Sequence, residues 1–402
     1  MRDLRLLVVS ERYWPDGSGG ELATHLIIDM LRKKFDITIV TGSEKPIKLP
    51  GVIYVYEPLF LRQEKFLLWL NTLRLIRTER FKKLLHESDI IYVPRIAYPI
   101  IPYAKKIGKK VTVHLHGYNL VSYTATILAP YEEHKHRITL DDIELVCMKG
   151  LKYCIRVFLM WWLPQFARKW VSQADKVLCV SKRHAEIIKD QISELRDKVE
   201  VIYNPLPPKL INNEPRKELD DIPTFLYVGG DSYVKGFHIL LQVLNKLGRR
   251  GVKAKFMFTN AYSLQNLITL KKLSEKYKNL EIQVAGKVRY DELIELHKRA
   301  WALIFPSIWE EPLPYAVIEA AALGTIPIAS KVGGVVELIG DTIVFKFLFT
   351  HNDVNELIEK LERLSMLSPG EVKDLGYKLR SKLLEKLYPS KLDRRFFDIF
   401  TV

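Results

Sequence analysis

Cysteine is scarce in this chain. Cys147, Cys154 and Cys179 are the only three in 402 residues, and no two form a Cys-x-x-Cys pair. That excludes a disulfide-built scaffold and fits a reduced, intracellular setting. Long apolar runs are also missing. The nearest approach, VFLMWWL at 157–163, is closed by Arg156 and Pro164, well short of the roughly eighteen residues a membrane-crossing helix needs. The opening segment, MRDLRLLVVSERYWP, loses its apolar character at Ser10 and Glu11, so it does not read as a signal peptide. There is no fixed-period repeat and no low-complexity segment. Acidic residues are in deficit, 47 against 62 Lys and Arg, for a formal charge of +15. Such an excess attracts an anionic partner: nucleic acid, a phosphorylated small molecule or an anionic membrane. A lysine-rich solvated surface with no partner stands beside that reading. No RNP, KH or helix-turn-helix pattern appears, and the basic charge is spread along the chain, so nucleic acid is the least favoured of these.

What is present is β-branched and alternating. Strand candidates in the first half are 6–10, 37–40, 52–56, 90–93, 111–116, 177–180 and 199–203. In the second half they are 225–229, 255–258, 282–285, 303–305, 326–330 and 343–345. Most are continuous apolar runs, as expected for strands of a parallel sheet buried on both faces. Longer helical stretches alternate with them, which spells βαβ units and an α/β fold of two Rossmann-like doubly wound domains. The stretch NPLPPKLINNEPRKELDDIP (204–223) is rich in Pro, Asn and charge and reads as a linker. The expected domains are 1–204, joined by the C-terminal helix at about 386–402, and 205–385. A chain of this length suits two cores. Ligands of such sheets bind outside the carboxyl ends of the strands, and with two domains the cleft between them is the default site.

The segment WEEPLPYAVIEAAALG (309–324) poses an energetic question. Pro312 and Pro314 suit a loop entering a helix, where a missing N–H costs nothing. Gly324 suits the position just past its end. The helix expected at about 314–323 carries a single charge, Glu319. An apolar helix is a buried helix, and an unpaired ionised carboxylate inside one costs several kcal/mol. A pair of ribose hydroxyls would satisfy it. Glu311 stands at the helix start, beside amides free to bind anions such as a diphosphate. The plainer alternative is a helix-start charge at Glu311 and a core ion pair at Glu319.

The wider stretch FPSIWEEPLPYAVIEAAALGTIPIASKVGGVVELI (305–339) resembles the nucleotide-sugar signature of the retaining GT-B glycosyltransferases, family 4 of the glycosyltransferases. The matching features are Glu311, Glu319, the alanines 320–322, the strand 326–330, Gly333-Gly334 and Glu337. The resemblance implies that Glu311 contacts the donor sugar and Glu319 the ribose, with Pro312, Leu313, Pro314 and Tyr315 lining the donor. Pro314 stands where a glycine is common in the family. FLYVGGDSYVKGFHILLQVL (225–244) resembles the Gly-Arg…Lys-Gly stretch whose two cations face the donor diphosphate. Lys235 and Gly236 match, while Gly230 takes the place of the arginine, leaving Arg183 or Lys287 as substitutes. A cation there stabilises the departing phosphate.

Other segments extend the resemblance over most of the chain. Gly17, Gly19 and Gly20 follow the first strand and open a helix, a turn that lets backbone approach a phosphate. By the resemblance, Gly19 and Gly20 lie beside the donor. VTVHLHGYNL (111–120) puts His116 at a strand end, where the family has a histidine facing the donor sugar. His114, two residues away, shares its face. AGKVRYDELIELHKRA (285–300) supplies Gly286, Lys287 and Val288 as base contacts. The implied activity is a retaining, metal-independent hexosyl transfer from a nucleotide-diphosphate sugar to a hydroxyl acceptor. The acceptor class expected is a lipid-linked glycan or polysaccharide precursor. No cofactor is implied beyond that donor, and no Asp-x-Asp follows a strand, Asp141-Asp142 and Asp220-Asp221 being read as loop residues. Two basic, aromatic stretches, 60–85 and 153–170, are expected either to touch an anionic membrane or to be helices with packed inner faces. The localisation expected is cytoplasmic, with peripheral contact at the inner membrane face as the open addition. A different class stays open too: a catalytically weak protein of the same fold that binds RNA or anionic membrane.

Overall fold

The computed structural model describes residues 4–62, 64–212 and 216–401. They fall into two units. The first comprises 1–127, 131–205 and 388–402; the second comprises 128–130 and 206–387. The linker read at 204–223 carries a short helix, Pro208–Asn212, and its residues 213–215 lie outside the described residues.

The first unit is built on seven parallel strands: β1 (Leu4–Val9), β2 (Phe35–Thr41), β3 (Ile53–Tyr56), β4 (Ile90–Val93), β5 (Lys110–Leu115), β6 (Lys176–Cys179) and β7 (Val199–Val201). Their order is β3-β2-β1-β4-β5-β6-β7. The strand order reverses between β1 and β4, the switch point where such sheets open for ligands. The C-terminal helix Pro389–Thr401 packs on this unit, with the Phe400 ring edge-on to Tyr92 at 5.0 Å.

The second unit has five parallel strands: β8 (Thr224–Tyr227), β9 (Ala254–Thr259), β10 (Leu280–Gly286), β11 (Ala302–Phe305) and β12 (Ile326–Ala329), in the order β10-β9-β8-β11-β12. Its switch point lies between β8 and β11. The strand expected at 343–345 is instead a 3₁₀ turn, Ile343–Phe347. Within 343–345 only Val344 is buried, and both flanking side chains are exposed, so three apolar letters had no second face to bury. The helix Tyr315–Ala322 is flanked by the helix Pro369–Lys386 and by β12. Alanines permit that approach, and at Gly376 an added Cβ would stand 2.1 Å from the Gly324 carbonyl oxygen. Arg380, buried in the same helix, donates to the Ala322 and Leu210 carbonyls and so closes the helix end.

Two further expectations are corrected. Cys147 and Cys154 are joined by a disulfide, with Cα atoms 4.3 Å apart. The turn at Gly150 folds the helix Leu151–Met160 back on the helix Ile138–Cys147 and brings them together. Asp141 and Asp142 are not loop residues; they are buried in that first helix. Asp142 accepts hydrogen bonds from the Tyr123 and Thr124 amides and the Ser122 hydroxyl, which pins the loop after β5. No helix among the described residues is long and apolar enough to cross a membrane.

Candidate active site

The loop after β8 is a tight turn. The Lys235 amide donates to the Ser232 carbonyl at 3.2 Å and the Gly236 amide to Tyr233 at 2.9 Å. Gly236 has φ +76°, and an added Cβ would stand 1.8 Å from the Pro306 carbonyl oxygen, so only glycine fits. That turn is locked to the end of β11, where the Ile308 amide and the Ser307 hydroxyl both donate to Val234. Lys235 therefore projects at the β8/β11 switch point. Its Nζ lies 2.5 Å from Glu311 Oε1, which also accepts from Ser307 Oγ at 2.9 Å. The ammonium sits 5.3 Å from the Trp309 ring centre and 5.8 Å from that of Phe305. Glu311 is buried, so this is an ion pair with one desolvated partner.

The doubled glutamate resolves into two jobs. Glu310 Oε2 accepts from the Gly333 amide at 2.8 Å, while the Glu311 carbonyl accepts from Gly334 at 2.8 Å. Gly333 has φ +48°, and a Cβ there would lie 2.0 Å from the Glu311 carbonyl oxygen. The Gly-Gly pair thus clamps the glutamate loop from behind, and Glu311 alone faces Lys235.

Pro312, Leu313, Pro314 and Tyr315 are all buried as the chain enters the helix Tyr315–Ala322, with Pro314 at its N-cap. The Val317 and Ile318 amides donate to the Pro314 carbonyl at 3.1 and 3.2 Å, and Pro314 itself has no amide hydrogen to offer. Glu319, only 8% exposed, has no cation beside it among the described residues. Burial pushes its carboxyl up to about 7, partly offset by the neighbouring Tyr290 hydroxyl. The core ion pair considered for Glu319 is therefore not what holds it.

The other expected donor residues of this unit lie at the end of β10 and just past β8, with β9 between those strands. Gly286, φ +70°, closes β10, and its carbonyl accepts from Asn260 at 2.6 Å. Lys287 is exposed and Val288 half-buried just beyond. Gly230 has φ +62°, and an added Cβ would lie 2.9 Å from the Ala261 carbonyl oxygen. No side chain fits there without movement, so this backbone has given up the arginine position and not merely exchanged a residue. Arg183, offered as a substitute, is engaged by Glu132 at 2.8 Å within the first unit.

In the first unit, Gly19 and Gly20 open the helix Gly19–Leu31. Gly20 lies against His116, where an added Cβ would be 3.4 Å from the His116 Cβ. His116 sits just past β5, its ring 4.3 Å from that of His114. His114 is wholly buried and shares a hydrogen bond with the Tyr92 hydroxyl at 2.9 Å, leaving His116 as the ring at the strand's end. Burial first, then the Arg95 and His184 charges, push His116 down to about 3. It is a neutral hydrogen-bonding group at working pH. Arg95 itself links the buried carboxylates of Glu11 and Glu21.

Sequence reasoning missed Glu310, Trp309, Arg95, Glu11 and Glu21. Ser307 was visible only as part of the Pro-Ser that precedes the signature. A lone arginine after the β4 run was the available signal for Arg95.

The fold and the site together define a class, the GT-B glycosyltransferases. Two family models match: Glycosyltransferase Family 4 over residues 17–210 and Glycosyl transferases group 1 over 211–381. The chain belongs to this glycosyltransferase family. Among curated proteins it is 28% identical over 172 residues to the Schizosaccharomyces pombe phosphatidylinositol N-acetylglucosaminyltransferase gpi3 subunit, covering 42% of this chain and 37% of that one. It is 29% identical over 180 residues to an uncharacterized glycosyltransferase of Methanocaldococcus jannaschii, covering 42% and 45%. The match thus spans less than half the length of either relative. Among solved structures, Anabaena HepE in complex with UDP and glucose aligns over 98% of this chain and 99% of its own, with TM-score 0.69 and 15% identity. Sucrose-phosphate synthase from Thermosynechococcus elongatus aligns over 99% and 98%, with TM-score 0.72 and 15% identity.

Proposed function

We propose that the protein is a retaining glycosyltransferase that moves a hexose-type sugar from a nucleotide-diphosphate sugar to a hydroxyl acceptor on a lipid-linked glycan or polysaccharide precursor. One observation carries this reading: Lys235 and Glu311 meet at the β8/β11 switch point, at the entry to the helix that bears Glu319. The donor diphosphate takes the Lys235 ammonium and lies toward the positive end of that helix's dipole. Glu311 and Ser307 then face the sugar hydroxyls, and the ribose hydroxyls donate to Glu319. Gly286, Lys287 and Val288 hold the base. His116, uncharged, hydrogen-bonds a sugar hydroxyl beside Gly19 and Gly20.

The bond from the anomeric carbon to the donor phosphate breaks, and its electron pair stays with the diphosphate. The acceptor oxygen bonds to that carbon from the same face, and its proton passes to the departing phosphate oxygen. Preorganised cations stabilise that developing charge, and no carboxylate nucleophile is required, unlike in retaining glycosidases. The donor is the only small molecule this scheme uses, and no metal or resident cofactor enters it. HepE's complexes with UDP and UDP-glucose support a nucleotide sugar as donor, and the phosphatidylinositol substrate in the gpi3 relative's name supports a lipid-linked acceptor. The setting we propose is cytoplasmic, at the inner membrane face, and the Cys147–Cys154 disulfide means that cysteine usage no longer counts in its favour.

Gly230 favours one second reading, a catalytically weak protein that keeps the fold and binds RNA or anionic membrane. Incubation with radiolabelled nucleotide sugars and a lipid extract separates the two. Sugar transfer abolished by Glu311→Ala and Glu319→Ala supports the transferase. Unchanged donor binding and turnover in both variants refutes these roles, and tight RNA binding without nucleotide-sugar binding selects the second reading.

A further inference from the structure

The helix Leu151–Met160 is packed the wrong way round for a globular core. Of its ten residues only Val157 is buried. At roughly 100° per residue, Leu151, Ile155, Phe158 and Leu159 fall on one arc of the helix, opposite Val157. They are 77%, 54%, 58% and 63% exposed. The inner side, with Cys154, is fastened to the helix Ile138–Cys147 by the disulfide. So the hairpin is held by its inner face while its apolar face points to solvent. The alternative for 153–170, a helix with a packed inner face, holds for Leu163–Val171, where Leu163, Pro164, Ala167 and Val171 are buried, whereas Leu151–Met160 buries one residue and leaves its apolar arc exposed. Contiguous exposed apolar surface of this kind marks an interaction site.

The charge around the patch says what covers it. From Leu145 to Ala174 the chain has Lys149, Lys152, Arg156, Arg168 and Lys169 and no acidic residue. Lys152 and Arg156 flank the apolar arc on one side. Arg156 reaches Glu64 at 3.9 Å, beside the helix Lys65–Leu75, whose Leu67, Leu70 and Leu73 are also exposed. A second copy of this chain would bring the same cations against these, in a protein of charge +15, so self-association is disfavoured. An apolar face rimmed by Lys and Arg complements a bilayer with anionic headgroups.

We infer that the disulfide-clamped hairpin 147–160 docks the protein on an anionic lipid surface. Leu151, Ile155, Phe158 and Leu159 enter the acyl boundary, and Lys149, Lys152 and Arg156 lie among the headgroups. Its purpose, presenting a lipid-linked acceptor, rests on the transferase reading; the surface itself does not.

The test is sedimentation of the full chain with vesicles of phosphatidylcholine alone or with one-third phosphatidylglycerol. Binding to the anionic vesicles only, weakened by high salt, is expected. Phe158→Ser with Leu159→Ser lowers the partition coefficient by roughly tenfold or more. Lys152→Ala and Arg156→Ala each lower it by roughly fivefold. Circular dichroism and nucleotide-sugar binding without lipid stay at the parent values in all three variants. Absence of binding to anionic vesicles overturns the inference, as does binding that the serine variant leaves intact. A concentration-dependent dimer that the serine variant abolishes, without vesicle binding, assigns the face to a second copy and overturns it too. A protein that binds these vesicles but no nucleotide sugar keeps the docking surface and loses the transferase reading. The reverse result keeps the enzyme and removes the surface.

Discussion

Glu319 gives the donor site a measurable pH dependence. Its carboxyl, raised from 4.5 to about 7 by burial, is largely protonated in the free protein at mildly acidic pH. Ribose hydroxyls hydrogen-bond the ionised form better, so donor binding pulls the proton off. If binding returns the group to its ordinary value of 4.5, linkage sets the size of the effect. At pH 5.5 the free carboxyl must first lose its proton, which weakens binding by about thirtyfold, or ~2 kcal/mol, relative to pH 8. A smaller recovery of the pKa on binding gives a smaller factor. The diphosphate of a nucleotide sugar is a diester with no proton to lose in this window, so the ligand adds no slope of its own. Isothermal titration of UDP-glucose across pH 5.5–8 reads the effect, and buffers of different ionisation enthalpy count the protons released. Affinity rises with pH and flattens above about 7, and Glu319→Gln loses the rise. A wild-type affinity independent of pH, or an equal slope in Glu319→Gln, would refute the ribose role of Glu319.

Lys235→Ala strands the buried Glu311 carboxylate and destabilises by about 3 kcal/mol, seen by calorimetry, while turnover falls by roughly a hundredfold or more. Glu311→Gln keeps the fold better, so a larger thermal loss in Glu311→Gln than in Lys235→Ala contradicts the pairing. Gly230→Arg does not restore a family-like cation: with φ +62° and the Ala261 carbonyl 2.9 Å from its Cβ, it costs about 1–3 kcal/mol and leaves turnover no higher. Half-buried His116 and buried His184 are held near 3 when folded and near 6.5 when unfolded, so the unfolded chain binds more protons below pH 6.5. Each therefore lowers stability by about 1.4 kcal/mol per pH unit below that point. Glu319 works in the opposite sense between about 4.5 and 7. Urea titrations show His116→Gln flattening the acid slope by one proton's worth.

The sequence by itself determined the architecture. Twelve of its thirteen strand candidates became strands because a run such as Ile-Ile-Tyr-Val needs two apolar faces around it, and only a covered parallel sheet provides both. It also determined the buried helix bearing Glu319 and the glycines beside it, since Gly236 and Gly333 stand where a Cβ would strike backbone. Local chemistry leaves little choice at such positions. Tertiary structure decided what depends on residues far apart in the chain. Adjacent Glu310 and Glu311 are equivalent as letters; only the packing of the 333–334 loop and of the Lys235 turn makes one a clamp and the other an ion-pair partner. His116 is neutral because the fold desolvates its ring first, and Arg95 and His184 then arrive beside it from other elements. Cys147 and Cys154 are bonded because a hairpin closes. The apolar face at 151–159 read equally well as core or as surface. Periodicity says that a face exists, and only the fold says which way it points.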